Sequence, residues 1–324
     1  MLYLSADDVR RALPMSEAIA AARDAFTQLS SGQVALPPRQ RIEATGEQGA
    51  ALVMTCHSSA QRLFGLKFIT LFGQNRQRGL PLIHALVLLA DGATGEPLAL
   101  MEGAMLTAIR TGAASGLATE LLARPDATVA AIFGAGIQAR TQLEAVCAVR
   151  PIRRALVFDP DRSAAGQFAA AMAAQLGRDV RPASTPRDAL QDADVVCAAT
   201  TSPVPVFDDS DLKPGTHINA VGSYRPDVSE IPAATVCRAR VVVDHRESAL
   251  EEAGDLLLPL AQGLIEKSHF QTELGEVALG RVPGRWDPAG ISLFKSVGVA
   301  IQDLCSAARV LENARRLALG VPLP

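Results

Sequence analysis

Two glycines and an acid carry the first chemical information in this chain. Thr128-Val-Ala-Ala-Ile-Phe-Gly-Ala-Gly-Ile-Gln-Ala-Arg140 sets a short apolar run, Val129 to Phe133, directly before Gly134 and Gly136. Ala139 stands where a third small residue is wanted, and a helix-forming run follows. This is the strand, tight turn and helix start of a dinucleotide-binding unit. Gly134 allows the turn, and Gly136 lets the backbone approach a pyrophosphate with no Cβ in the way. The helix start at Ile137 and Gln138 then offers free N–H groups and a partial positive charge to the phosphates. A second strand-like run, Ala155-Leu-Val-Phe158, ends in Asp159, 25 residues beyond Gly134. A carboxylate there can accept hydrogen bonds from the adenosine ribose diol. The pattern favours a nicotinamide cofactor over a glycine turn in some other α/β protein. A 2′-phosphate would meet Asp159, so NAD(H) is expected ahead of NADP(H), although Arg162 nearby keeps NADP(H) open.

A second signal is a lysine out of place. Only four lysines, Lys67, Lys213, Lys267 and Lys295, stand among 31 basic residues, so arginine supplies the generic surface cation. Phe64-Gly-Leu-Lys-Phe-Ile-Thr-Leu-Phe72 nevertheless places Lys67 inside an apolar strand. Burying an ammonium is costly unless something negative meets it. Either Lys67 lies on an edge strand and snorkels to water, or it holds a ligand carboxylate inside a cleft.

These residues need a scaffold, and the periodicity describes one. Ser5-Ala-Asp-Asp8 fits a capping box for a first helix, and Ile19, Ala22, Phe26 and Leu29 mark a second helix to about Gly32. Strand-like runs follow at Ala50–Thr55, Leu66–Leu71 and Ile83–Ala90, and the turn Asp91-Gly-Ala-Thr-Gly-Glu-Pro97 leads into another. A small-residue helix from Gly103 to Ala123 enters a zone where strands at 129–133, 155–158, 179–182, 194–198, 217–221 and 240–243 alternate with helices. That alternation predicts a parallel sheet covered on both faces. A strand-like Ile291–Leu293 and a helix from about Val297 to Leu319 close the chain. The expected architecture is α/β, a Rossmann-type parallel sheet domain plus an α+β domain. The first domain spans residues 1–117, joined by the C-terminal helix at about 299–324, and the dinucleotide domain spans 118–298. Ligands sit beyond the C-terminal strand ends of such sheets. There Val195–Ala199 runs into Thr200, and Ile218–Val221 runs through Val221 and Gly222 into Ser223. Both loops should border the nicotinamide half of the cleft. For Thr200, a turn hydroxyl bonded to its own backbone is an equal alternative.

Bulk properties narrow the function classes. With 324 residues the chain can hold two domains, and 48% hydrophobic with 20% charged residues is ordinary for a globular protein. A formal net charge of −3 gives no reason to expect nucleic acid or an anionic membrane as partner. No apolar run reaches the length of a membrane span. The acids in Met1-Leu-Tyr-Leu-Ser-Ala-Asp-Asp-Val-Arg10 stand where a signal peptide would carry bases, so a cytoplasmic location is expected. The five cysteines are scattered and odd in number, in keeping with reduced core residues, and the five histidines show no metal-ligand spacing. No metal is expected.

Further motifs carry a family resemblance. Leu106-Thr-Ala-Ile-Arg-Thr-Gly-Ala-Ala-Ser115 resembles the L-T-x-x-R-T-x-A-x-S signature of the ornithine cyclodeaminase/μ-crystallin family. Gly65-Leu-Lys67, Gly79-Leu-Pro81, Asp91–Pro97, Phe133–Ala139, Asn219-Ala-Val-Gly222, Glu252-Ala-Gly-Asp255 and Phe294-Lys-Ser-Val-Gly298 match in family order over nearly the whole chain. The resemblance implies a homodimer, with the N-terminal segment and last helix forming a substrate-binding and dimerising domain. It implies chemistry through an imine of an α-amino or α-keto acid, with hydride passing to or from NAD(H) or NADP(H). It also implies residue roles: Arg39, Lys67 and Arg110 at the substrate carboxylate, with Lys67 and Arg110 catalytic, Thr111 at a cofactor phosphate, and Lys295 beside the last helix, bordering the cofactor or positioning that helix. Arginine forks suit carboxylates, and crowded cations would depress the lysine's pKa.

One departure from the family pattern steers the functional expectation. The family's cyclodeaminases and alanine dehydrogenases carry Gly/Ala-Asp after the Asn219–Gly222 motif, whereas this chain reads Ser223-Tyr-Arg-Pro-Asp227. That looks like the μ-crystallin and Δ1-pyrroline-2-carboxylate reductase branch. A cyclodeaminase must deprotonate an amine, close a ring and expel ammonia, so a carboxylate in the site is useful. Delivering one hydride to a preformed iminium needs mainly orientation and electrostatics. The resemblance therefore implies an oxidoreductase reducing cyclic imino acids, Δ1-pyrroline-2-carboxylate or Δ1-piperideine-2-carboxylate, to L-proline or L-pipecolate. The alternatives are an ornithine cyclodeaminase and a μ-crystallin-like small-ligand-binding protein. Asp227 is expected to pair with Arg225 or cap Val228-Ser-Glu230.

Overall fold

Between Gly49 and Glu102 buried side chains alternate with less buried ones, the period of strands packed on one face. The computed structural model, which describes residues 1–47, 49–285 and 287–323, folds this stretch into a largely antiparallel sheet. The elements are β1 (Leu2–Leu4), α1 (Ala6–Ala12), α2 (Met15–Ser30), β2 (Val34–Ala35), β3 (Gln40–Glu43), β4 (Gly49–Ser58), β5 (Leu63–Phe72), β6 (Ile83–Asp91), β7 (Pro97–Glu102) and α3 (Gly103–Leu122). Ser5 caps α1 as expected, its backbone N–H donating to Asp8 Oδ2 at 3.0 Å while its hydroxyl accepts from Asp8 N. The chain divides into two compact units. Residues 1–110 form one with the segment from Val299 onward, and Thr111–Gly298 forms the other. The C-terminal helix (Ala300–Leu317) and C-terminal strand (Val321–Pro322) belong to the first. The strands β1 and Val321–Pro322, too short for a periodic signal, had no counterpart in the sequence reading. They pair with each other, and β1 runs parallel to β7.

In the first unit β5 lies between β4 and β6. Register sets Met54, Lys67, Val87 and Met101 side by side across four strands. The C-terminal helix covers this face, since a Cβ on Gly65 would stand 3.0 Å from Leu304 Cβ. Lys67 is therefore on a central strand with only 2% of its surface exposed, and the edge-strand alternative falls. The opposite face carries Phe64, Phe68 and Leu86, all exposed, with Phe68 directly across from Leu86.

The second unit is an all-parallel eight-stranded sheet. Its elements are β8 (Val129–Phe133), α4 (Ile137–Val149), β9 (Arg154–Phe158), α5 (Arg162–Leu176), β10 (Asp179–Pro182), α6 (Pro186–Leu190), β11 (Val195–Ala198), β12 (His217–Ala220), α7 (Ala233–Arg238), β13 (Arg240–Val243), α8 (Arg246–Glu252), α9 (Gly254–Ala261), β14 (Thr272–Glu273), α10 (Leu274–Ala278) and β15 (Ser292–Lys295). The order is β10-β9-β8-β11-β12-β15-β13-β14. The pleat sorts side chains by parity. Ala131, Phe133, Val196 and Ala198 enter one apolar core, and Ala130, Ile132, Val195 and Cys197 enter the other. Burial on both faces is why these strands read as continuous apolar runs. The strand β15 extends two residues beyond the expected Leu293, so Lys295 ends it, and the C-terminal helix starts at Ala300 rather than about Val297. Asp244 explains the offset, because its Oδ2 accepts from Ser296 Oγ, Val297 N and Gly298 N and fixes a turn between them. Among the described residues no helix is long and apolar enough to cross a membrane.

Candidate functional site

The glycine turn after β8 is built to leave its mouth empty of protein atoms. Gly134 has φ +96°, and a Cβ on it would lie 2.7 Å from the Ala199 carbonyl oxygen, so only glycine fits. Gly136, the N-cap of α4, is capped by no side chain, and a Cβ there would meet nothing within 4 Å. Glycine at 136 is thus not required by the chain's own packing; space is kept for something else. Ile137 is 52% exposed beside it, and Gln138 Oε1 is buried without a hydrogen-bond partner among the described residues. An uncapped helix N-terminus and an open backbone fit a dinucleotide pyrophosphate. Asp159 follows β9, and its two oxygens accept from Ala135 N and Asp161 N, each at 2.9 Å. The carboxylate thus braces the turn. Arg162 is exposed at the first position of α5.

Thr200, Val221, Ser223 and Lys295 gather at the C-terminal strand ends around a residue the sequence reading passed over, Glu230. Its Oε1 accepts from Thr200 N and Thr200 Oγ1, each at 2.7 Å, and its Oε2 accepts from Ser223 N at 2.7 Å. Thr200 Oγ1 also accepts from Ser202 N at 3.0 Å, the local turn bond expected as the alternative role. Val221 N donates to Ala198 O. Glu230 is fully buried, and burial, then Asp255, push its pKa up against Lys295 and the Thr200 bonds. Asp255 Oδ1 in turn accepts from Ser229 Oγ, Glu230 N and Ile231 N. Lys295, with no exposed surface, lies 2.7 Å from Asp255 Oδ2 and donates to the Ser223 carbonyl. Its ammonium supports the Ser223 loop from within the sheet. The carbonyl of Thr111 accepts from Gln142 Nε2 at 3.3 Å, tying α3 to α4. Tyr224 packs against the apolar core, while Arg225 Nε donates to Asp227 Oδ1 at 3.0 Å in an exposed pair, as expected.

The first unit assembles the cations. Lys67 Nζ donates to Asp303 Oδ2 at 2.6 Å, and Arg110 Nε donates to Asp303 Oδ1 at 3.1 Å. Arg110 Nη1 also donates to Gln302 Oε1 at 3.0 Å. Burial brings the Lys67 pKa down from 10.5 to about 8, with Arg110 and Arg39 adding to the fall and Asp303 opposing it. The expected depression is there, but desolvation is its leading cause and crowding by cations the lesser one. Burial pushes the Asp303 carboxyl up, yet Lys67 and Arg110 together hold it below its usual range. Two of the three expected carboxylate ligands, Lys67 and Arg110, thus share one acid that the sequence reading missed, while Arg39 acts on Lys67 through its charge. The available signal was an acid, Asp303, on the helix face that also carries the small residues Ala300, Ser306 and Ala307.

Comparison with known proteins adds the lineage. The ornithine cyclodeaminase/mu-crystallin family model matches residues 1–317, and the chain belongs to that family. A Δ1-pyrroline-2-carboxylate reductase of Bacillus cereus is 39% identical over 99% of this chain and 98% of its own. Among solved structures, the Thermococcus litoralis Δ1-pyrroline-2-carboxylate reductase in complex with NADH and L-proline superposes with a TM-score of 0.96 at 40% identity, covering all of both chains. An archaeal alanine dehydrogenase dimer with bound NAD gives 0.93 at 32% identity over 100% of this chain and 99% of that one.

Proposed function

We propose that this chain is an NADH-dependent reductase of cyclic imino acids, converting Δ1-pyrroline-2-carboxylate or Δ1-piperideine-2-carboxylate to L-proline or L-pipecolate. The observation that carries the reading is the site's chemistry after Gly222. Ser223 and Tyr224 stand where the family's cyclodeaminases carry an acid, and Asp227 is engaged at the surface by Arg225. The position after Gly222 thus offers no carboxylate of the kind those cyclodeaminases carry there, while the pairing of Lys67 and Arg110 on Asp303 supports a cationic site for a substrate carboxylate. Likeness to reductases over the full length supports the same assignment.

In this mechanism Arg110, Lys67 and Arg39 bind and orient the substrate carboxylate. Bound NADH supplies the hydride. Lys67 Nζ, with its pKa near 8, carries a proton at neutral pH that it can yield to the ring nitrogen. Gly134, Gly136, Ile137 and Gln138 would hold the pyrophosphate, with Thr111 contributing. Thr200, Val221 and Ser223, fixed through Glu230, Asp255 and Lys295, would shape the nicotinamide end. Asp159 favours NADH because a 2′-phosphate would meet its charge, with NADPH a lesser cofactor through Arg162.

The same reading takes the protein as a cytoplasmic homodimer acting in proline or pipecolate formation. Exposed Phe64, Phe68 and Leu86 on one sheet face support self-association, and the five free cysteines suit a reducing compartment. The test is a steady-state panel of NADH and NADPH against both cyclic imines, L-ornithine, and pyruvate plus ammonia. Turnover of a cyclic imine is expected. Ammonia release from ornithine would overturn the reading, and NADH binding without turnover of any substrate would leave a ligand-binding protein.

A further inference from the structure

The cation cluster contains one buried polar group with nothing to hold. Gln302, in the first turn of the C-terminal helix, has 1% of its surface exposed. Its Oε1 accepts two hydrogen bonds, from Arg110 Nη1 and from Val299 N, each at 3.0 Å. Both partners are donors, so chemistry fixes which way the amide points: the oxygen faces them and the NH2 faces away. That Nε2 has no hydrogen-bond partner among the described residues. A buried donor left unmade is destabilising, and such a group in a native protein calls for an acceptor that arrives from outside. Its neighbours define the acceptor. Lys67 and Arg110 share the single carboxylate of Asp303, and the charge of Arg39 is also felt at Lys67. Lys67 and Arg110 set two cations against that one acid, an excess of positive charge that suits an anionic acceptor.

We propose that Gln302 is a substrate-binding residue whose Nε2 donates to the carboxylate of the imino acid beside Arg110. The proposal rests on the reading of the cluster as a carboxylate site and adds to it a neutral donor. A further cation would have to be desolvated in a site that already holds Lys67 and Arg110; an amide supplies a directed N–H without that cost. Asp303 is then the positioning residue of the pair, holding Lys67 and Arg110 while its neighbour Gln302 contacts the ligand.

Gln302→Glu separates a binding role from a structural one. A glutamate still accepts from Arg110 Nη1 and Val299 N, so both contacts within the chain survive, while the free donor becomes an anionic acceptor. Titration calorimetry of pyrrole-2-carboxylate, a planar ring carboxylate, into the NADH-loaded protein at pH 7.5 reads the effect. The expected result is a Kd raised by about 100-fold or more, with NADH affinity and Tm unchanged. The loss should shrink at lower pH as the new carboxyl takes up a proton. A loss of less than tenfold overturns the proposal. Should Q302E fail to fold, Gln302→Met takes its place under the same tenfold criterion. If the wild type takes L-ornithine or pyruvate with ammonia instead of cyclic imines, the cyclic-imine reading falls, and the wild-type to variant ratio for that carboxylate still decides the role of Gln302. If the wild type binds none of these carboxylates, both fall.

Discussion

Asp303→Asn should move the alkaline limb of the pH profile downward. Lys67 sits 2.6 Å from Asp303 with both side chains almost wholly buried. At that distance two unit charges attract by about 6 kcal/mol for an effective dielectric of about 20. Even a quarter of that is about one unit of pKa at 1.36 kcal/mol per unit. In the wild type burial brings Lys67 to about 8 despite Asp303, which is the group opposing the fall. With Asp303 neutral, desolvation, Arg110 and Arg39 act unopposed, and the pKa should drop to about 7 or below. The assay is kcat/KM for the cyclic imine between pH 6 and 10. Wild-type activity should fall as pH rises through about 8, and the variant's should fall about one unit or more earlier. Titration of the substrate is common to both profiles and cancels in the difference. Stability should also drop by about 3–5 kcal/mol, because two buried cations lose their anion. The sign of the Lys67 contribution can be checked separately. Its folded-state pKa lies below the free value of 10.5, so its charge costs stability below about pH 8. That cost is relieved between about 8 and 10.5, where the folded protein has shed the proton and the unfolded chain has not. An unchanged alkaline limb in a folded Asp303→Asn protein would refute the claim that Asp303 keeps Lys67 charged.

Three further expectations concern the second unit. Gly136→Ala adds a Cβ that meets nothing, so Tm should stay within error while NADH affinity falls about tenfold or more; Gly134→Ala, with its Cβ 2.7 Å from the Ala199 oxygen at φ +96°, should lower Tm instead, and equal behaviour of the two would contradict the turn's assignment. Asp159→Ser should shrink the NADH over NADPH preference in kcat/KM, and also weaken NADH itself because Ala135 N loses its acceptor; a wild type that prefers NADPH would remove this role from Asp159. Tyr224→Phe should keep most of the reductase activity, since delivering a hydride to a preformed iminium needs no base at that position; a hundredfold loss in kcat would show the hydroxyl acting on the substrate.

The sequence alone determined the parts of this protein whose signal is local. Apolar runs bounded by turns located the strands of the parallel sheet to within a residue or two, except the two-residue Thr272–Glu273 strand, because strands buried on both faces leave no room for polar side chains. The spacing from Phe133 through Gly136 to Asp159 marked the dinucleotide turn, because backbone conformation and close approach restrict residue type there. Lys67 stood out because a lysine in an apolar strand needs a partner. What that partner is could not be read locally. Asp303 lies 236 residues from Lys67, and only the packing of the last helix on the central strands brings them to 2.6 Å. The same holds for Glu230, an ordinary loop acid in the sequence, which becomes the acceptor for three N–H and O–H groups from two separate loops. Lys295 shows the reverse: its motif drew notice, but the fold buries it against Asp255. Charge type and local periodicity are properties of neighbours in the chain. Which charges meet, and which group is left without a partner, is set by contacts between residues far apart in sequence, and those exist only once the helices and strands have packed.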